Sequence, residues 1–102
     1  MSWTLPDELL HLCVENGVEN GALFVLCQVG ANVNSVRLHQ TPLQLAASKG
    51  DLTMTRLLIQ HGANVNVVTD QSTALIKAVE NEDLRYSKTY GLITNEILRF
   101  NY

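Results

Sequence analysis

The sequence predicts an all-α chain in which short helix-turn-helix units stack in a row. Three observations predict it. Apolar residues recur at helical spacing in segments that glycine closes, as in Leu43, Leu45, Ala46 and Ala47 before Gly50. The stretch Thr41 to Asn66 reads as helix, tight turn, helix and loop. The same pattern returns before and after it at an offset of 32 or 33 positions, and a fixed period of that size marks a stacked-repeat architecture.

Taken in order, Met1 to Pro6 precedes the first unit. Thr4 followed by Asp7 reads as an N-cap with an acid in the first turn, which Pro6 also suits. Trp3, the single tryptophan, is expected to fold over the open end of the stack, with ligand stacking as the other role of such a ring. Unit one spans residues 6–34. Leu10-His11-Leu12-Cys13-Val14 aligns with Leu43-Gln44-Leu45-Ala46-Ala47, and Gly17 with Gly50, 33 positions on. Gly30-Ala31-Asn32-Val33-Asn34 aligns with Gly62-Ala63-Asn64-Val65-Asn66, 32 positions on. One extra residue therefore lies between Gly17 and Gly30 and is placed in Val18 to Gly21. The second helix then turns Ala22, Val25, Leu26 and Val29 inward.

Unit two spans residues 41–66. Thr41 precedes Pro42, a proline suited to the first helical position. Gly50 ends the first helix, because glycine enters the left-handed conformation without a Cβ penalty. The second helix begins at Asp51-Leu52, carries Met54, Leu57 and Leu58 on one face, and stops at His61-Gly62. Unit three spans 73–100. Ala74 replaces the proline, Lys77 a core leucine and Glu82 the glycine. Leu92, Ile97 and Leu98 have the spacing of Leu52, Leu57 and Leu58, which implies an insertion over Leu84 to Gly91. A second helix starting at Leu84 is the alternative; it puts Thr89, Tyr90 and Gly91 at the leucine positions. The polar replacements suit a terminal cap facing water. Ile93, Phe100 and Tyr102 suit it less well, and either wrap the end of the stack or await a partner or further repeats.

These residues resemble the ankyrin repeat. The family pattern opens Thr-Pro-Leu, has a Leu-Ala-Ala core, a glycine after the first helix, paired leucines in the second and a closing Gly-Ala-Asp-Val-Asn. Thr41-Pro42-Leu43, Leu45-Ala46-Ala47, Gly50, Leu57-Leu58 and Gly62-Ala63-Asn64-Val65-Asn66 match it, with Gln44 for the usual histidine and Asn64 for the usual aspartate. The resemblance implies an ankyrin-repeat solenoid with short loop fingers, one domain over residues 1–102, three repeats and a protein-binding role. His11 stands where the family places a histidine that makes a structural hydrogen bond.

Charge and cysteine content narrow the function classes. The formal net charge is −3. Asp7, Glu8, Glu15 and Glu19 against Arg37 put that whole excess in residues 1–40, while the later regions balance. A mildly acidic chain with no basic stripe argues against nucleic acid and anionic membranes as partners. No segment is apolar for long enough to span a bilayer, and no signal peptide is visible at the Met1 end. Cys13 and Cys27 are too few for a disulfide framework. On apolar helix faces they read as buried thiols, which fits an intracellular, reducing setting, cytoplasmic or nuclear. His11, His39 and His61 are separated from one another in repeat register, without cysteine or acid partners at metal spacing. There is no glycine-rich phosphate loop and no nucleophile elbow. No catalytic, cofactor or metal site is expected, and the chain is read as a non-enzyme.

What remains is surface. The resemblance places the binding face on the loop tips and the exposed side of the first helices. On this sequence the tips are Val36-Arg37-Leu38-His39-Gln40 and Val68-Thr69-Asp70-Gln71-Ser72. They lack the family's tip glycine, and each is one residue shorter than the family spacing. The exposed helix positions are Glu15 and Asn16, Ser48 and Lys49, and Glu80 and Asn81. Arg37, Leu38, His39, Ser48, Lys49, Asp70 and Glu80 are the leading contact residues, with Thr69 beside them. Leu38 either folds back on its neighbour or waits for a partner. The expected role is an adaptor or competitive inhibitor that binds another protein. The alternatives are a structural end-cap or scaffold piece, self-associating weakly through its C-terminal end, and a substrate of an asparaginyl hydroxylase. In the family the last Asn of Asp-Val-Asn can be hydroxylated, with a leucine eight residues before it. Leu26 and Asn34, and Leu58 and Asn66, keep that spacing, but Asn32 and Asn64 replace the acid.

Overall fold

The computed structural model describes residues 5–81 and 88–100, with Asn81 and Phe100 described as backbone only. Among them are six α-helices and no strand: α1 (Leu5–Glu15), α2 (Glu19–Phe24), α3 (Pro42–Ser48), α4 (Leu52–Gln60), α5 (Ala74–Asn81) and α6 (Lys88–Phe100). The fold is all-α, as the periodicity predicts. The expectations for Trp3, Thr4, Leu84 to Ser87, the Phe100 side chain and Tyr102 lie outside the described residues.

Local chemistry sets the helix ends. The Thr41 hydroxyl accepts from the Gln44 amide at 3.1 Å while the Gln44 side chain accepts from the Thr41 amide at 2.9 Å, a reciprocal capping box that starts α3. Asp51 starts α4 by accepting from the Met54 amide at 3.1 Å. Gly50 (φ 67°) and Gly62 (φ 91°) turn the chain out of α3 and α4 in the left-handed region. The core runs through all three units, from Leu10, Val14 and Val25 through Leu43, Met54 and Leu58 to Ala74, Ala78 and Ile93. Helices of this length are marginal alone in water, so packing between units is what holds them.

The loops that close the units also join them. Within each, an asparagine side chain accepts from the backbone two residues on: Asn34 N to Asn32 Oδ1 and Asn66 N to Asn64 Oδ1, both 2.9 Å. Asp7 Oδ1 accepts from Asn32 N within unit one, and Asn34 Oδ1 accepts from Asn64 N between units one and two, both at 2.8 Å. Asparagine in place of the usual aspartate therefore keeps the loop bonds, because only the oxygen is used.

The structure corrects three details. The extra residue of unit one does not sit in Val18 to Gly21. Val18 and Asp51 cap α2 and α4 at the same 33-residue offset, so the two helices start in register. The surplus is absorbed at the far end, where α2 widens into a π-helical stretch, Val25–Val29. Ala31 N there reaches back to Val25 O, whereas its counterpart Ala63 N reaches Leu58 O, one residue fewer. A π turn is the usual way a helix swallows a single insertion. It also turns Val29 out to solvent, while Ala22 and Val25 are buried and Leu26 half-buried. Second, Cys27, in that stretch, is exposed and its Sγ lies 3.5 Å from His61 Nε2, while Cys13 is half-buried; burial pushes the Cys13 thiol up. Third, α6 already runs from Lys88, so residues 88–91 of the expected insertion are helical. Its inward face is Thr89, Ile93 and Ile97, one step off the expected row, and Leu98 is exposed. Ile93 is a core residue, neither a wrap nor a contact. The short tips, though without glycine, form tight turns.

Candidate functional site

Each tip is a two-residue turn closed by a pair of backbone hydrogen bonds. Arg37 and Gln40 exchange bonds of 2.9 and 3.2 Å, and Thr69 and Ser72 bonds of 3.0 and 2.8 Å. Both central residues of each turn have positive φ: Leu38 53° and His39 67°, Asp70 50° and Gln71 62°. That is the conformation for which Asn-Gly is preferred. A branched, bulky side chain such as leucine pays for it in strain. Leu38 does not fold back to compensate; it is 77 % exposed. Replacing Leu38 by Asn and His39 by Gly should therefore raise stability by about 1 kcal/mol, the left-handed cost removed less the entropy of the new glycine. Thermal denaturation checks it: the double variant melts a few degrees higher, and an unchanged or lower Tm shows the turn unstrained.

Around the first tip the expected residues meet. His11, Leu12, Glu15, Arg37, Leu38, Gln40 and Leu45 line a cleft of about 50 Å³. Glu15 Oε2 lies 3.1 Å from Lys49 Nζ, joining the two helix positions across units one and two. Arg37 reaches back to Glu8 at 3.9 Å and is half-buried, so it is tied to α1 rather than held out on the tip. Asn16 Nδ2 donates to Leu12 O at 2.9 Å and Ser48 Oγ to Leu45 O at 2.8 Å, the ordinary occupation of such groups at helix ends. The second tip is outside this cleft. Thr69 there is a structural residue: its hydroxyl donates to Gln44 Oε1 at 2.6 Å. Asp70 and Glu80 are exposed, and the Asn81 side chain lies outside the described residues. Sequence reasoning missed Leu12 and Leu45 as walls of the cleft, because an apolar residue at helical spacing reads first as core. The small volume suits a protruding side chain of a protein surface, not a small-molecule ligand, whose pockets run about 300–1,000 Å³.

A larger cleft of about 330 Å³ is lined by Gly62, Ala63, Asn64, Val65, Asn66 and Glu96. It contains none of the expected contact residues, and Glu96 is paired with Arg99 at 3.3 Å. Among the described residues there is no group of three or more His, Cys, Asp or Glu able to hold a metal ion, and no helix long and apolar enough to cross a membrane.

A family model described as ankyrin repeats, in three copies, matches residues 10–90. The chain belongs to the ankyrin repeat family. No curated protein matches it. Ankyrin repeats are generally protein–protein interaction modules and typically are not enzymes. Within this ankyrin stack the two histidine-type positions hold the tips in place. His11 is buried, and its Nε2 lies 3.2 Å from both the carbonyl and the hydroxyl of Ser35. Gln44 does the same for the second tip.

Burial lowers the His11 pKa from its ordinary 6.5, against the pull of its bond to Ser35. The folded protein thus binds this proton less readily than the unfolded chain. Stability supplied by neutral His11 is complete above the unfolded value and is lost as pH falls from about 6.5 through the lower folded value. Chemical denaturation across that range should show a slope in wild type that flattens in His11→Gln. Parallel slopes in the two proteins would mean that His11 does not set it.

Proposed function

We propose that this ankyrin stack binds a partner protein through the surface formed by its tips and the exposed side of its first helices, as an adaptor or a competitive inhibitor without catalysis. The observation that carries the reading is Leu38: an apolar side chain, fully presented, on a turn whose backbone conformation leucine disfavours. Strain of this kind persists where function keeps the side chain, and an exposed apolar anchor beside a polar rim is the pattern of an interface hot spot. Around it stand His39, the Glu15–Lys49 pair and the Leu12–Leu45 cleft, with Asp70 and Glu80 further along. The two unpaired cysteines support an intracellular, reducing setting. The chain acts singly or weakly self-associated.

Affinity capture from the native cell tests this, with wild type beside a Leu38→Ala, His39→Ala, Lys49→Ala variant. Loss of one or more partners by the folded variant supports the reading. Equal recovery of every partner overturns it.

A second reading, hydroxylation of an asparagine, is favoured at one position only. Asn34 uses its side chain twice, accepting from Asn64 N and donating to Gly62 O at 3.5 Å. Asn66 is exposed. The mass of the protein from its own cell decides: an added oxygen on the peptide carrying Asn66 supports it, and an unmodified peptide removes it.

A further inference from the structure

The two ends of the stack carry the two halves of the joint that holds its interior together. Leu9, Leu12 and Phe24 stand 33 positions before Pro42, Leu45 and Leu57. In unit two, with a neighbour on either side, Pro42 and Leu45 are buried and Leu57 half-buried. In unit one the same three positions are exposed, Phe24 by 59 % and Leu12 by 44 %. At the other end Ile76 and Val79 stand 32 positions after Gln44 and Ala47. Gln44 and Ala47 are buried under the following unit, whereas Ile76 and Val79 are exposed, Ile76 by 42 %. A stack that stands alone caps both ends with polar faces. Here both carry apolar side chains, at the positions the repeat uses for contact with its neighbours.

Charge follows the same order. Unit one holds Asp7, Glu8, Glu15 and Glu19 with no basic residue, while unit three balances Lys77, Arg85, Lys88 and Arg99 against Glu80, Glu82, Asp83 and Glu96. An acidic first unit meets a neutral last unit without the acid-on-acid repulsion that two first ends would set up, and the repeat register itself matches a first face to a last face. We infer that a second copy of this chain seats its unit-one end on the unit-three end of the first, continuing the repeat row from copy to copy. The interface is heterologous, so association runs on into longer rows instead of closing at a pair. It leaves the tips free and does not depend on the tip-binding reading.

Light scattering and sedimentation from micromolar to millimolar concentration test it. The mass of wild type should climb from 11.3 kDa without a plateau at the dimer. Phe24→Glu spoils only the first end and Val79→Glu only the last. Each variant alone should stay monomeric. Their equimolar mixture should give a 1:1 pair and nothing larger, because one intact end remains on each. A wild type fixed at 11.3 kDa throughout overturns the inference. So does a single-end variant that still associates, or a mixture that does not pair. Circular dichroism confirms that each variant is folded; Leu9→Lys and Ile76→Lys at the same ends replace either one that is not.

Discussion

Leu58→Ala lowers the stability of the entire stack by about 2–5 kcal/mol, the range for emptying a buried leucine site. Leu58 is wholly buried in the middle unit, where it belongs to a core that includes Leu10 and Val14 on one side and Ala78 and Ile93 on the other. A cavity there is lined by helices from neighbouring units and has no flexible surface to collapse on. Total stability for a domain of this size is about 5–15 kcal/mol, so one side chain removes a large share of it. The loss should be global, because each unit's helices are marginal without their neighbours. Urea denaturation followed by helical content and by hydrogen exchange in α1 and α5 checks both statements. If α1 and α5 keep their protection while only α3 and α4 lose theirs, the units are not coupled as argued. Leu38→Ala, at a fully presented tip residue, is the control and should change little.

The parts of the fold visible in the sequence are those that repeat. Gly50 and Gly62 end their helices as glycines with positive φ do, and Thr41, Pro42 and Asp51 begin them as their side chains dictate. The family resemblance placed His11 as a structural residue, and the bond to Ser35 is there. What was hidden is what breaks the repeat. A count of residues between Gly17 and Gly30 reveals one insertion, but not whether a turn or a helix absorbs it, since the π turn costs one ladder bond and leaves no residue signature. The sequence puts the row along α6 one step off because Leu92, Ile93, Ile97 and Leu98 form two adjacent apolar stripes, and only packing against α4 and α5 selects between them. The tips are the least legible part of the sequence. His39 and Asp70 are of the types that tolerate the left-handed region, but Leu38 and Gln71 are not, so both turns are imposed largely by the bonded frames around them. Their place on polar tips marks Arg37 and Thr69 as contact residues in the sequence, but a partner inside the fold occupies each: Glu8 for one, Gln44 for the other.

Gln44 is where that frame is held, and its removal is the second large effect expected. The side-chain amide is saturated. Oε1 accepts from Thr41 N and from the Thr69 hydroxyl, and Nε2 donates to Val67 O at 3.0 Å and Ser72 O at 3.1 Å. This network also fixes which end of the amide is oxygen, since both carbonyls need a donor and the Thr41 amide needs an acceptor. Gln44 is buried, so Gln44→Met keeps much of its volume but leaves Ser72 O with only its bond from Thr69 N and two backbone groups, Thr41 N and Val67 O, unpaired. Each costs about 1–3 kcal/mol where water does not reach it. Val67 is only half-buried, and water can recover part of that bond. The expected net loss is about 2–4 kcal/mol. The two side-chain donors reach the carbonyls on either flank of the 68–71 tip, so the loss should also loosen that tip more than its partner. Amide exchange at Thr69 and Ser72 should accelerate in Gln44→Met well beyond that at Arg37 and Gln40, which His11 serves through Ser35. Gln44→His, which puts in unit two the residue that unit one already uses, should fall between wild type and Gln44→Met. A histidine no more stable than the methionine would show that the acceptor half of the amide, not its two donors, carries the stabilisation.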